Sequence, residues 1–232
     1  MWRAADSPLR RGVSFIVIVI AILALTPYVI APFYRFINPV SMPMLWRYAT
    51  GARVDRHWVP LNQISPALPL AVIIAEDGTF CVNRGIDLGA MREALRQSGD
   101  LGESRGASTI TQQTVKNLFL WQGRSYVRKA LEIPLAIWLN LVLPKRRVME
   151  IYLNIVEWGP NSEFGAEAGS RFAFGKSARD LNPYEAAELA SILPNPYRRS
   201  ARNPGFLVRR LAALYERRSE AFPGHAACVR GP

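Results

Sequence analysis

Residues 13–31 form an uncharged apolar segment, V-S-F-I-V-I-V-I-A-I-L-A-L-T-P-Y-V-I-A, which constrains the fold of the chain more than any other feature. A helix of about twenty apolar residues spans the hydrocarbon core of a bilayer. The segment therefore predicts one transmembrane helix. A cleavable signal peptide is the alternative, since Val29 and Ala31 are small enough for a cleavage site. However, the run is longer than the usual apolar core of such a peptide, and Pro32 would follow the cut.

Basic residues precede this span. Arg3, Arg10 and Arg11 stand before it against Asp6 alone, and basic residues beside a span favour the cytoplasmic side of the membrane. We therefore expect residues 1–12 in the cytoplasm and the remainder of the chain outside it.

Length and charge limit the classes of function. The 232 residues, half of them hydrophobic, leave room for one sizeable domain beyond the span. The net charge of +11 favours anionic partners such as phospholipid headgroups, diphosphates or nucleic acid. Cys81 and Cys228 form no C-x-x-C pair, and His57 and His225 are the only histidines, which argues against a zinc site. A disulfide between the cysteines requires an oxidising compartment and stays open.

Residues 32–69 are rich in proline and aromatic residues and show no clear periodicity, so they are predicted to be a membrane-proximal linker. Beyond them helix-start signals recur and strand alternation is nearly absent, which predicts a mostly α domain. The expected helix starts are Asp87 for residues 88–97, Thr109 with Gln112, Ser125 for a long helix ending before Pro144, Asn182 with Glu185, and Asn203 for a C-terminal helix.

Two acidic residues, Glu76 and Asp77, directly follow the apolar residues 72–75. Burial of a carboxyl against an apolar wall raises its pKa and can make it a proton-transfer group. The alternative is that both acids end a helix and face water.

Residues 106–117 crowd polar side chains around few hydrophobic ones. In a helix starting near Thr109, this residue shares a face with Gln112, Gln113 and Lys116, and such a face can bind phosphate or sugar oxygens. A solvated helix face is the alternative.

Arg128 and Glu132 are spaced for an i,i+4 ion pair, which ordinarily contributes only about 0.2 to 0.5 kcal/mol. The surrounding helix is apolar nearly all round, which favours a place beside a buried cleft, and Pro134 should kink it. Residues 145–154 supply polar groups for the scaffold, and no chemistry is expected from residues 181–196.

Together these segments resemble the peptidoglycan glycosyltransferases of family 51, which polymerise the glycan strands of the bacterial wall. The motifs are E-D-x-x-F over residues 76–80, G-x-D over 85–87, G-x-S-T-I-x-Q-Q-x-x-K-N over 106–117, R-K-x-x-E over 128–132 and K-x-x-x-x-E-x-Y-L-N over 145–154. The chain contains no S-x-x-K and no K-T-G, so the resemblance is to members without transpeptidase activity.

The resemblance implies a mostly α, lysozyme-like domain of two lobes over residues 70–204, behind the anchor, with residues 205–232 as a C-terminal helix and tail. It implies polymerisation of lipid II, with Glu76 as general base and Glu132 as a second catalytic carboxylate. Glu132 would act through its basic neighbours or a divalent cation, Mg or Mn. The implied substrate-binding residues are Asp77, Phe80, Thr109, Gln113, Lys116, Asn117 and Arg128.

The implied partners are lipid II, the growing strand, membrane lipids and other cell-wall or division proteins, at the periplasmic face of the inner membrane. No nucleic-acid partner is expected. Two residues depart from the family pattern: Asn83 replaces a usual histidine, and Asn140 replaces an acidic residue. A wall-cleaving enzyme and a non-catalytic scaffold are the alternative functions.

Overall fold

The structure is a computed structural model that describes residues 8–98, 108–123 and 125–230. The described residues are mostly helical, as predicted, with strand limited to β1 (Asp55–Arg56) and β2 (Glu163–Phe164), which pair in parallel. The α-helices are α1 (Pro8–Ile30), α2 (Met42–Ala49), α3 (Ala67–Glu76), α4 (Leu88–Ser98), α5 (Ile110–Phe119), α6 (Tyr126–Val142), α7 (Lys145–Ile155), α8 (Ala166–Phe174), α9 (Pro183–Ile192) and α10 (Phe206–Ala221). Arg3 and Gly106, which entered the sequence predictions, lie outside the described residues.

Helix α1 contains the predicted span. By length and composition, the helical stretch Leu9–Arg35 is able to cross a membrane, with a mean hydropathy of 2.7 and no part of its most apolar window buried. Its end is fixed to α6, because the Trp138 indole N–H donates to the Tyr28 carbonyl at 3.0 Å and the two rings lie 6.2 Å apart. The apolar helix and the folded body are therefore directly connected through side chains.

The prediction of residues 32–69 as an aperiodic linker is wrong. This segment contains α2, β1 and a 3₁₀ turn at Leu61–Gln63, and Met44 in α2 is fully buried. Ser41 caps α2 by accepting a hydrogen bond from the Met44 N–H. An eight-residue helix is too short to show a clear periodicity, and its partners are distant in sequence.

Helix α3 lies in the core, where Leu68, Val72 and Ile73 are fully buried. It packs against α9 and α10, which enclose it on several sides. This explains why α3 is apolar nearly all round. Its last residue is Glu76, so the core itself carries this carboxylate to the edge of the fold. Since α10 contributes buried Val208 and Ala212, the packed body extends beyond residue 204.

Four of the five predicted helix starts are confirmed, because each depends on hydrogen bonds within one turn. Asp87 Oδ1 accepts the Ala90 N–H at 2.8 Å, and Ser125 caps α6. Capping boxes start the other two helices and are formed by Thr109 with Gln112 and by Asn182 with Glu185.

The fifth helix start, Asn203, is wrong. Helix α10 begins at Phe206 after Gly205, without a side-chain cap. The Asn203 N–H instead donates to Ser200 Oγ at 3.1 Å, within the preceding turn.

Cys81 and Cys228 are joined in a disulfide, with Cα atoms 5.4 Å apart across 147 residues of sequence. The bond connects the segment after Glu76 to the C-terminal tail, where Ala226 and Val229 are buried. The tail therefore forms part of the folded body.

Candidate active site

Glu76 lies at the end of α3, half-buried, and its Oε2 accepts a hydrogen bond from Gln113 Nε2 at 2.7 Å. Burial raises the pKa of this carboxyl, and the Gln113 hydrogen bond and the charge of Lys116 partly oppose the shift. Glu76 ends α3, as the alternative expected, but its carboxylate is partly buried and hydrogen-bonded instead of facing water. A carboxylate with a raised pKa can accept a proton at a pH closer to neutral than an ordinary glutamate can.

Asp77 has a different role from its neighbour. Its buried carboxylate accepts the Ile110 N–H at 3.0 Å and the Asn83 side-chain amide at 2.9 and 3.1 Å. Burial also raises the pKa of Asp77, and these hydrogen bonds oppose the shift. Asp77 therefore holds the N-terminus of α5 beside the end of α3, which fits a shaping role better than direct substrate contact.

Thr109 was predicted to bind substrate, and its hydroxyl forms hydrogen bonds within the fold. Its side chain is 2% exposed. The hydroxyl donates to the Gly85 carbonyl at 2.6 Å and accepts the Gln112 N–H at 3.1 Å. These hydrogen bonds fix the start of α5. Thr109 also lines a cavity of about 220 Å³ that contains Glu76, and its contact with substrate stays a prediction.

Phe80 was also predicted to bind substrate, and it is fully buried. The Lys145 ammonium lies 4.6 Å from the centre of its ring. The ring therefore supports Lys145 and the first loop from within the core, and it cannot touch a ligand in this conformation.

A cavity of about 830 Å³ opens beside α5, and Gln113, Lys116 and Asn117 line it. Its other walls come from α2, the end of α7 and the turn that contains Tyr197. Burial lowers the pKa of Lys116, and attraction to Glu132 and Glu76 partly opposes that shift. Three of the predicted substrate-binding residues thus face one cavity. Glu76 lines a second cavity, of about 220 Å³, and its Oε2 accepts a hydrogen bond from Gln113, which lines the large cavity.

Glu132 is buried between two cations. Arg128 donates to one carboxylate oxygen, and Lys129 Nζ lies 2.7 Å from the other. Arg128 also donates to the Gly123 carbonyl at 3.0 Å, and Lys129 donates to Ser108 Oγ at 2.9 Å. The predicted ion pair is present as part of a larger cluster that retains a net positive charge.

Comparison with known proteins shows the family of this chain. Residues 45–219 match the family model described as Transglycosylase. A biosynthetic peptidoglycan transglycosylase of Nitrobacter hamburgensis is 54% identical over 213 residues, which cover 92% of this chain and 94% of the relative. One from Rhodopseudomonas palustris (strain TIE-1) is 55% identical over 94% of this chain and 92% of the relative. One from Rhizobium meliloti is 47% identical over 98% and 94%.

The chain belongs to the biosynthetic peptidoglycan transglycosylase family. It is a glycosyltransferase, and its mostly α, lysozyme-like fold is the one predicted. The match covers α2 as well as α10, which agrees with the packing of both elements onto the body.

Asn83 and Asn140, the two residues expected to depart from the family pattern, lie at the contacts of the first loop of this transglycosylase. Asn83 bonds Asp77 and also accepts the Lys145 ammonium at 2.9 Å, so it bridges two charged groups without a charge of its own. Gly85 has φ +93°, and a Cβ there would lie 2.4 Å from the Ala136 carbonyl oxygen and 3.0 Å from the Asn140 Cβ. The first loop therefore packs directly on the α6 backbone, and only glycine fits at residue 85.

The sequence interpretation missed part of the cavity wall of the transglycosylase. Arg47 from α2 bonds Glu157 at 2.5 Å, Tyr197 at 2.6 Å and Ser162 at 2.6 Å. Residues 194–196, from which no chemistry was expected, also line the cavity, as does Tyr197. The aromatic and arginine residues of 32–69 were the available signal, but these partners of Arg47 lie at least 110 residues away.

Proposed function

We propose that this transglycosylase polymerises lipid II, with Glu76 as the general base. Glu76 takes the proton from the 4-hydroxyl of N-acetylglucosamine on the incoming lipid II. That oxygen attacks C1 of N-acetylmuramic acid on the growing strand, forming a β-1,4 link with inversion as undecaprenyl diphosphate leaves. The observation that carries the proposal is the half-buried Glu76 carboxylate, whose pKa burial raises and which Gln113 orients at 2.7 Å.

Cationic side chains would stabilise the departing diphosphate. Lys116 lines the large cavity, and the cluster of Arg128, Lys129 and Glu132 is close enough to influence its pKa. Fixed cations in a partly dry site stabilise developing negative charge more strongly than water does, and they need no reorganisation. Asn117 adds an amide on the same side of the cavity. We therefore assign Lys116 to the diphosphate, with Glu132 holding Arg128 and Lys129 in place.

A divalent cation bound by Glu132 does not fit this arrangement. Both carboxylate oxygens of Glu132 already accept hydrogen bonds from Arg128 and Lys129, and these two positive charges repel a metal ion. The described residues contain no cluster of three metal-binding side chains. We therefore assign electrostatic stabilisation at this position to the chain's own cations.

We also propose a single-pass arrangement, with the N-terminus in the cytoplasm and the catalytic domain in the periplasm. The basic residues before the apolar segment 13–31 support this orientation, and the Cys81–Cys228 disulfide suits an oxidising compartment. The contact between Tyr28 and Trp138 holds the body near the bilayer, where lipid substrates lie. Membrane lipids and other cell-wall or division proteins are the proposed partners.

The test uses the full-length protein in detergent with lipid II and, separately, with finished wall. We expect release of undecaprenyl diphosphate and formation of long, uncrosslinked glycan, while the wall stays intact. Solubilised wall fragments without polymer would indicate a wall-cleaving enzyme instead. A well-folded protein inactive on both substrates would indicate a scaffold.

A further inference from the structure

Tyr152 of α7 connects to Glu76 through one intermediate side chain. The Tyr152 hydroxyl donates to Gln113 Oε1 at 2.9 Å, and Gln113 Nε2 donates to Glu76 Oε2 at 2.7 Å. Tyr152 is fully buried. Gln113 therefore has both ends of its amide engaged, one by a phenol and one by the carboxylate.

The direction of these two hydrogen bonds depends on which way the Gln113 amide points. With Nε2 toward Glu76, the amide donates to an ionised carboxylate, which favours the charged form. With the amide reversed, Oε1 would face the carboxylate and would require a proton on Glu76. The reversed amide would also direct an N–H at the Tyr152 hydroxyl, whose own proton would lose its acceptor. A buried donor without an acceptor is unfavourable, so the phenol selects the first orientation.

The hydroxyl of Tyr152 keeps its proton around neutral pH. Burial raises its pKa well above the usual value, and the negative charges of Glu76 and Asp77 raise it further. Tyr152 is thus a permanent donor, and the amide orientation that it imposes does not change as Glu76 titrates.

Building on the proposed role of Glu76, we propose that Tyr152 is a positioning residue for this base, acting through Gln113. Its hydroxyl fixes the amide orientation that keeps Glu76 ionised and ready to accept the sugar proton. The sequence predicts only that residues 145–154 supply polar groups for the scaffold. The hydrogen-bond chain gives the Tyr152 hydroxyl a specific role in the reaction.

Other groups around Glu76 act on the same titration, and the test has to hold them constant. These charged or titratable neighbours come from three other parts of the fold and from the end of α3, and they are Lys116, Arg199, Tyr215 and Asp77. Tyr152→Phe removes one oxygen and leaves all of these charges unchanged. Its effect on the pH profile therefore isolates the hydrogen-bond chain.

The experiment measures kcat and KM of the full-length protein on lipid II between pH 5 and 9, in steps of about half a pH unit. For Tyr152→Phe we expect the acid limb of kcat/KM to move upward by about 0.5 to 1 pH unit, the shift expected from one weakened hydrogen bond. Activity below the limb should fall about three- to tenfold, while KM above the limb stays unchanged. Tyr184→Phe, the same chemical change on α9, is the matched control and should leave the profile unmoved.

Coupling to Gln113 distinguishes positioning from a general structural effect. Gln113→Leu should move the acid limb upward at least as far as Tyr152→Phe, and adding Tyr152→Phe to it should produce no further shift. The inference would be overturned if the shifts of the acid limb in the two variants were additive. An unmoved acid limb in Gln113→Leu would also overturn it, even if Tyr152→Phe folds poorly. A wild type inactive on lipid II would overturn the proposed function instead. An active wild type with an unmoved limb in folded Tyr152→Phe would overturn the inference alone.

Discussion

Asn83 donates its side-chain amide to both carboxylate oxygens of Asp77, at 2.9 and 3.1 Å. The same side chain accepts the Lys145 ammonium at 2.9 Å through its oxygen. Burial lowers the pKa of Lys145 to about 8, and the charge of Asp77 opposes that shift. Asp77 also accepts the Ile110 N–H of α5. The neutral side-chain amide of Asn83 therefore connects the loop after Glu76 to Lys145 of α7 and, through Asp77, to α5.

Asn83→Ala should destabilise the fold, because it leaves the buried Asp77 carboxylate and the Lys145 ammonium without a shared partner. We expect the free energy of unfolding to fall by about 1 to 3 kcal/mol, measured by urea denaturation in detergent. Asn203→Ala, at an exposed residue, is the control and should stay within about 0.5 kcal/mol of wild type. Equal midpoints for both variants would show that the bridge contributes nothing.

Glu132→Gln tests the buried charge cluster. Removing the carboxylate charge leaves Arg128 and Lys129 without their common counter-ion, at side chains only 12% and 13% exposed. The loss of unfolding free energy should be about 3 kcal/mol, as for one broken buried ion pair. Glu220→Gln on α10 is exposed and serves as the matched control. A Glu132→Gln variant as stable as this control would contradict the structural role of the cluster.

Reduction of the Cys81–Cys228 disulfide should lower thermal stability. A crosslink over a separation of 147 residues restricts the unfolded chain strongly, and its loss should remove about 2 to 4 kcal/mol. Thermal unfolding with and without dithiothreitol measures the effect. The double variant Cys81→Ala with Cys228→Ala should unfold at the same temperature in both conditions. A wild type equally insensitive to reductant would mean that the bond does not form or does not stabilise the fold.

Lys116→Met tests the assignment of the diphosphate site. Loss of the cavity ammonium should reduce kcat on lipid II by about 100-fold, the effect typical of removing one fixed group that stabilises developing charge. Lys176→Met removes a surface ammonium paired with Glu185 at 2.6 Å and should change the rate by less than about twofold. A near wild-type rate for Lys116→Met would assign the leaving group to other cations.

Much of the fold could be predicted where its cause is local. The helix starts at Asp87, Thr109, Ser125 and Asn182 follow from hydrogen bonds within one turn, and sequence spacing carries that information. Helix α2 could not be predicted, because Arg47 is held by residues 110 to 150 positions away. Such contacts exist only after the chain has folded.

Only part of the candidate site could be predicted, because some of its contacts also join residues that are distant in sequence. The family motifs identified a set of residues, but a motif does not separate a side chain that faces a cavity from one that supports it. Lys116 faces the large cavity, whereas Thr109 in the same motif and Phe80 in the first motif are buried. Tyr152 was predicted to be a scaffold residue, because sequence spacing does not reveal its contact with Gln113. That contact joins α7 to α5 across 39 residues.

The rate of lipid II polymerisation by Glu76→Gln tests the account most directly. Glutamine keeps an oxygen that can accept the Gln113 amide, yet it cannot take a proton from the attacking hydroxyl. We predict thermal unfolding close to wild type and a polymerisation rate lower by about 100- to 10,000-fold, as expected for loss of a general base. Glycan formation at the wild-type rate by a folded Glu76→Gln variant would contradict the assignment of Glu76 as the base.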